Sequence, residues 1–213
     1  LLTIRAHTDN GGAIIASGDS TILQRGKDTY AYVWPRDAAF AALALVRSGD
    51  GAVAERFFAF CHRVLQPEPY FFHKYSPDGS LGSSWHPWLR DGVRQLPIQE
   101  DETALVLIAL WQYYQVTKNV EVIEELYNPL IKRIADWLSV YRDEATGLPG
   151  ASYDLWEEKF GCHTFTAAAV YGALVAAGRF AALLGKVKSE QVYRRVAAEV
   201  RAGILARLYD PER

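Results

Sequence analysis

The chain has 213 residues, of which 50% are hydrophobic, 23% charged and 13% aromatic. Such a balance belongs to a folded globule and excludes disordered, collagen-like and fibrous chains. With 23 basic against 25 acidic side chains the net charge is −2, so no basic surplus exists to neutralise a phosphate backbone and nucleic acid is a poor partner.

The chain opens on Leu1-Leu2-Thr3-Ile4 and holds no methionine. It is therefore expected to be part of a longer chain, and neither a secretion signal nor a compartment can be read from it. Tyr30, Tyr32 and Trp34 alternate along a strand-like stretch that ends in Trp34-Pro35-Arg36-Asp37. An Ala-rich helix, apolar on most sides, is predicted over Asp37–Arg47. An amphipathic helix follows over Ala52–Leu65, with Phe57, Cys61 and Val64 on one face and Asp50 as N-cap. The connection from Gln66 to Ile98 has no helical period, and a loop of that length inside a compact domain is usually functional. It holds the turn Pro77-Asp78-Gly79 and the run Trp85-His86-Pro87-Trp88, whose exposed tryptophans would want a ligand to cover them. The cluster Gln99-Glu100-Asp101-Glu102-Thr103 opens a second apolar helix over Glu100–Gln115. An amphipathic helix is predicted over Glu121–Tyr141. Trp156-Glu157-Glu158 precedes a third apolar helix over Thr164–Leu184, and an amphipathic helix capped by Ser189 closes the chain over Glu190–Leu208.

The longest apolar runs, Ala38–Val46 and Ala167–Gly178, fall short of the roughly 18 residues a membrane span needs, so no membrane partner is expected. Two cysteines, Cys61 and Cys162, make neither a disulfide framework nor a four-cysteine zinc site. The five histidines show no metal-ligand spacing, and there is no Gly-rich phosphate loop or Gly-x-Ser-x-Gly elbow. No metal or cofactor is called for.

The predicted helices alternate, buried then amphipathic, three times over one domain, residues 1–213. From Asp37 to Glu100 is 63 residues, and from Glu100 to His163 is again 63. This is the pattern of a repeated helix hairpin, giving a solenoid or, if closed, a barrel of inner and outer helices. In a closed array all inner-helix N-termini point to one end, with their free N–H groups and positive potential. The three polar clusters would then converge. Each cluster alone is equally an ordinary helix start.

Glu157 and Glu158 beside Trp156 suit acid–base chemistry. A carboxyl held against an aromatic ring is desolvated and keeps its proton near neutral pH, whereas a helix N-terminus favours the anion. The alternative is a solvated helix start with Trp156 in the core. Arg36-Asp37 offers a donor fork beside an acceptor pair, which suits vicinal sugar hydroxyls; the alternative is a local ion pair with Asp37 as cap. Tyr30, Tyr32 and Trp34 are either core or stacking platforms for a sugar face.

Together, Tyr30–Asp37, Leu96–Thr103 and Tyr153–Glu158 resemble the glucoamylase family, glycoside hydrolase family 15, and Leu81–Trp88 resembles its prokaryotic branch. The resemblance implies an all-α (α/α)6 barrel, a six-hairpin toroid, of which this chain would hold about six helices in three hairpins. It implies an inverting hydrolase that releases glucose from the non-reducing end of an oligosaccharide or polysaccharide: an α-glucan or trehalose. Glu157 would be the general acid and Glu158 would hold a sugar hydroxyl. Arg36 and Asp37 would grip the terminal glucose, Trp156, Tyr32, Trp34 and Trp85 would shape the pocket, and Gln99 and Glu102 would lie at it. Inversion also needs a base carboxyl. In the family that base lies near the last inner helices, and no residue here matches it, so this segment by itself is expected to hydrolyse little. The alternative is a non-catalytic sugar-binding or regulatory domain like the regulatory subunits of phosphorylase kinase, which would not need Glu157.

Overall fold

In the computed structural model, residues 1–18, 29–65, 67–83 and 88–210 are described; Trp85, His86 and Pro87 lie outside them. A short helix α1 (Leu2–Ala6), not anticipated from the pattern, precedes the first hairpin. Three helix pairs follow: α2 (Pro35–Arg47) with α3 (Gly51–Val64), α4 (Glu100–Thr117) with α5 (Val120–Leu126) and α6 (Arg133–Val140), and α7 (Thr164–Leu183) with α8 (Val187–Arg207). Their ends fall within about three residues of the predicted ones, the usual uncertainty of a helix end.

The first members of the pairs pack on one another, α2 on α4 and α4 on α7, and form the inner layer. Composition decides which helix goes inside. Helix α4 is buried on every side from Glu100 to Leu107, and α7 presents Ala, Gly and Thr along most of its length, which lets neighbouring backbones approach closely. The outer helices bury one face each, as Phe57 and Cys61 do on α3 and Val196 and Val200 on α8. Helix α7 is long and apolar enough to cross a membrane by length and composition, but 61% of that stretch is buried inside the protein. It is a core helix between α4 and α8.

Four local expectations are corrected. The second outer helix is not one continuous α-helix: Tyr127–Lys132 winds as a π-segment between α5 and α6. Pro129 sits there; it has no N–H to donate and its ring crowds the preceding turn, and a wider turn accommodates both. Ser189 lies inside α8, with Lys186 at the N-cap position. Asp50 holds the N-cap position of α3 but makes no capping bond; its carboxylate faces Arg5 Nε at 3.2 Å. Likewise Asp37 is not a cap, because Trp34 takes that place and Pro35 the first helical position.

The long connection after α3 is not structureless. Val33 and Tyr75 exchange both backbone hydrogen bonds, at 2.8 and 2.9 Å. A two-stranded hairpin follows, β1 (Leu89–Arg90) against β2 (Val93–Arg94), with Arg90 opposite Val93. Its turn is Asp91-Gly92, with φ of 50° and 76°, the Asp-Gly pairing that left-handed hairpin turns prefer. A second hairpin, β3 (Ser152–Tyr153) against β4 (Phe160–Gly161), stands before α7.

Candidate active site

The polar clusters meet at the N-terminal end of the inner helices, and Arg36 is where they join. Its side chain is 9% exposed. Nη1 donates to Asp101 Oδ2 at 2.9 Å and to Gln99 Oε1 at 3.1 Å, and lies 2.9 Å from Glu102 Oε1. The Arg36 backbone N–H donates to Glu102 Oε2 at 2.5 Å. Nη2 faces Asp37 Oδ2 at 3.4 Å. Asp101 Oδ1 in turn accepts from the Thr166 hydroxyl at 3.0 Å. One guanidinium and one carboxylate thus connect α2, α4 and α7.

Burial by itself would lower the pKa of Arg36, but the Glu102 and Asp101 carboxylates outweigh it and hold the guanidinium charged. Burial pushes the Glu102 carboxyl up against the pull of Arg36. Both of its oxygens nevertheless face Arg36 donors, so we treat the pair as charge against charge. Glu100 has no such cation. Burial raises its pKa to about 7, against the pull of the Ser152 hydroxyl.

Glu157 sits on the turn joining β3 to β4, seven residues ahead of α7 rather than at its first turn. The helix dipole therefore does not bear on it directly. Asp154 builds the turn: its carbonyl accepts from Glu157 N at 2.8 Å, and its Oδ1 accepts from Glu158 N at 2.8 Å and Lys159 N at 3.1 Å. Within this turn Glu157 adopts φ of +58°, a left-handed conformation that costs a non-glycine residue energy and clusters at functional sites. Its side chain is 8% exposed, and Oε1 lies 2.9 Å from His73 Nε2. Burial raises its pKa, while Lys74 and Arg36 pull it down.

A cleft of about 240 Å³ opens here, lined by Tyr30, Trp34, Arg36, Asp37, Trp156 and Glu157 among others. Asp37 is half exposed in it. Trp34 is buried, stacked on Tyr30 at 5.9 Å and met edge-on by Tyr32 at 6.0 Å. Trp156 is 78% exposed, so it is not core, and a ring that open to water does little to desolvate the acid. Glu158 is exposed beside it. Gln99 and Glu102 have no exposed surface. They lie beneath the cleft and brace Arg36 rather than line the opening, and the Gln99 amide also donates to the Asp154 carbonyl. A larger hollow of about 690 Å³ lies between the 139–147 segment and α8. Of its charged lining residues, Arg142 pairs with Glu199 at 3.0 Å and Asp143 accepts from Thr146. Among the described residues no group of three His, Cys, Asp or Glu could hold a metal ion.

Sequence reasoning gave no role to His73 or Lys74. Both are buried, and Lys74 Nζ rests over the rings of Tyr32 and Trp34 at 4.5 and 5.2 Å. The signal was present: a His-Lys pair directly behind Tyr70-Phe71-Phe72. Segment 71–75 is drawn in by Thr103, whose hydroxyl accepts from Phe71 N at 2.9 Å, and by the bridge to Val33.

The sequence model of glycosyl hydrolases family 15 matches residues 91–213. Trehalase 2 of Sulfolobus acidocaldarius is 28% identical over 91% of this chain and 36% of its own length. A glycosidase variant solved with glucose superposes with a TM-score of 0.75 at 26% identity, over 99% of this chain and 56% of its own. A bacterial glucoamylase solved with acarbose superposes with a TM-score of 0.71 at 22% identity, over 95% of this chain and 27% of its own. That last likeness is one of fold, and with it the three hairpins take their place in the (α/α)6 barrel architecture. The chain spans between 25% and 56% of the length of these and related proteins.

Proposed function

The chain belongs to glycosyl hydrolases family 15, and on that premise we propose that it carries the acid side of a glycosidase site that releases glucose from a non-reducing end. The observation that carries the reading is Glu157: a carboxyl 8% exposed, with a raised pKa, at the edge of a cleft it shares with Arg36, Asp37 and Trp34. A buried acid with a raised pKa can give its proton to a glycosidic oxygen as the C1–O bond breaks. Arg36 and Asp37 present a donor and an acceptor to vicinal hydroxyls, and Trp34 offers an apolar wall. The cleft has room for one sugar ring, which suits removal of a terminal residue. Tyr32 belongs to the same proposed wall, and Trp156 and Glu158 stand where the next sugar would leave. Gln99 and Glu102 act beneath it by fixing Arg36.

An inverting reaction also needs a second carboxyl roughly 6.5–9.5 Å from the acid to activate water. None of the residues named here takes that role. Trehalose, α-1,4- and α-1,6-linked glucosides are the candidate substrates. The test uses the intact protein beside Glu157→Gln, with glucose release followed on maltose, isomaltose and trehalose and the anomer read early by NMR. We expect β-glucose from at least one disaccharide, with kcat reduced about 10²- to 10⁴-fold in the variant. Release that is unchanged in Glu157→Gln sinks the assignment of the acid. No release from any of the three favours a sugar-binding or regulatory role.

A further inference from the structure

We propose that His73 is the positioning residue of the acid: its Nε2, 2.9 Å from Glu157 Oε1, fixes the rotation of the carboxyl and so where its proton points. The inference rests on the reading of Glu157 as the general acid. A carboxylic acid has two oxygens and one proton, and a proton on the wrong oxygen, or on a carboxyl free to rotate, is useless to the leaving group. Misplacement of about 1 Å can cost on the order of 10²-fold in rate.

The turn at Asp154 fixes the backbone of Glu157 in its left-handed conformation, yet a turn does not fix the side-chain torsions beyond it. His73 reaches the carboxyl from another part of the chain, with Nε2 at 2.9 Å from Oε1. The contact is short without being aligned as a linear hydrogen bond, and such pairs tighten when substrate fills the site. His73 is itself held. Its backbone N–H donates to Pro97 O at 3.1 Å. Its ring lies tilted to Trp34 at 6.3 Å and edge-on to Trp88 at 5.5 Å, and Trp88 leans edge-on against Tyr153 of β3 at 5.6 Å. The histidine therefore sits between the sugar-facing Trp34 and the hairpin that bears the acid.

The other cations act differently on Glu157. Arg36 is committed to Gln99, Asp101 and Glu102, and Lys74 Nζ lies over the Tyr32 and Trp34 rings. Both lower the pKa of Glu157 as charges. His73 acts through direction: it keeps its own proton, and Glu157 gives up the one it carries.

The test compares two glucosides on the intact protein. One is a disaccharide that the wild type cleaves, whose leaving alcohol needs a proton. The other is 2,4-dinitrophenyl α-glucoside, whose leaving group departs without one. His73→Phe keeps a ring between Trp34 and Trp88 and removes the donor. His73→Gln keeps an amide donor, and His73→Ala runs beside them in case the larger ring disturbs the packing. We expect the donorless variants to lose about 10- to 100-fold in kcat on the disaccharide, with KM changed less than about threefold. On the activated glucoside the loss should be under about threefold, and His73→Gln should recover most of the disaccharide rate. Equal losses on both substrates, or no loss on the disaccharide, overturn the role of His73. Glu157→Gln is the reference. If it shows the leaving-group signature and the His73 variants do not, this inference alone falls. If it is as active as wild type on the disaccharide, the acid assignment falls and the inference falls with it.

Discussion

Burial and charge pull the Glu157 proton in opposite directions, and the result can be moved by one substitution. Lys74 lowers its pKa through its charge, against the larger effect of burial. Lys74→Met removes the charge and keeps much of the stem, so the Glu157 pKa rises further. The acid is active while protonated, so the alkaline limb of the kcat–pH profile should move to higher pH. A limb that stays put or moves down would refute this account. Glu100 makes a parallel case in stability. Its pKa rises from 4.5 to about 7 on folding, so between those values the folded state holds more protons than the unfolded. The stabilisation is complete below 4.5 and is lost as pH rises through 7. Glu100→Gln should therefore be the more stable form at pH 8, by on the order of 3 kcal/mol, and should lose the advantage at pH 4. Urea unfolding at the two pH values reads both.

At the scale of elements, close approach of backbone explains what periodicity does not. A Cβ at Gly203 on α8 would come 2.7 Å from Thr146 O and 3.1 Å from Leu148. Gly203→Ala should thus push α8 from the 143–148 turn and destabilise by about 1–3 kcal/mol despite the better helix propensity of alanine; a higher melting temperature would contradict it. The inner helices were legible because the Ala-rich runs at Asp37–Arg47 and Thr164–Leu184 mark burial, whereas the outer helix α8 turns Val192 to solvent and buries Tyr193, Val196 and Val200. The π-segment and the β1–β2 turn were readable too, from Pro129 and from Asp91-Gly92, a turn pair of the same kind as Pro77-Asp78-Gly79 in the same connection. The convergence of Arg36, Gln99, Asp101 and Glu102 followed from the repeat. What did not follow was their division of labour, since nothing in Gln-Glu-Asp-Glu says which carboxylate is buried under an arginine and which under a serine. The pairing of His73 with Glu157 was illegible for the same reason: the two lie far apart in the chain, and only packing brings them together. The sequence likewise favoured Trp156 over Trp34 as the ring beside the acid, because adjacency along the chain is visible and the 78% exposure of Trp156 is not.

At the scale of the whole molecule, Arg36 and Asp101 together join all three hairpins. Arg36→Met would leave Asp101 and Glu102 buried without their cation, and removing one partner from such a cluster costs about 3–5 kcal/mol. The loss should appear as a lower urea midpoint for the whole cooperative transition, not as local fraying of α2. A variant that melts like wild type would show that water or Thr166 can replace the guanidinium.

The same cluster bears on how the protein could be redesigned. The floor of the cleft is also the joint between hairpins, so diversity introduced at Arg36, Gln99, Asp101 or Glu102 would be spent mostly on misfolded clones. The rim is a different substrate for selection. Trp156, Leu155 and, on the β1–β2 hairpin, Leu89 and Val93 are exposed, and a library confined to them could change which linkage enters while the foundation stays intact.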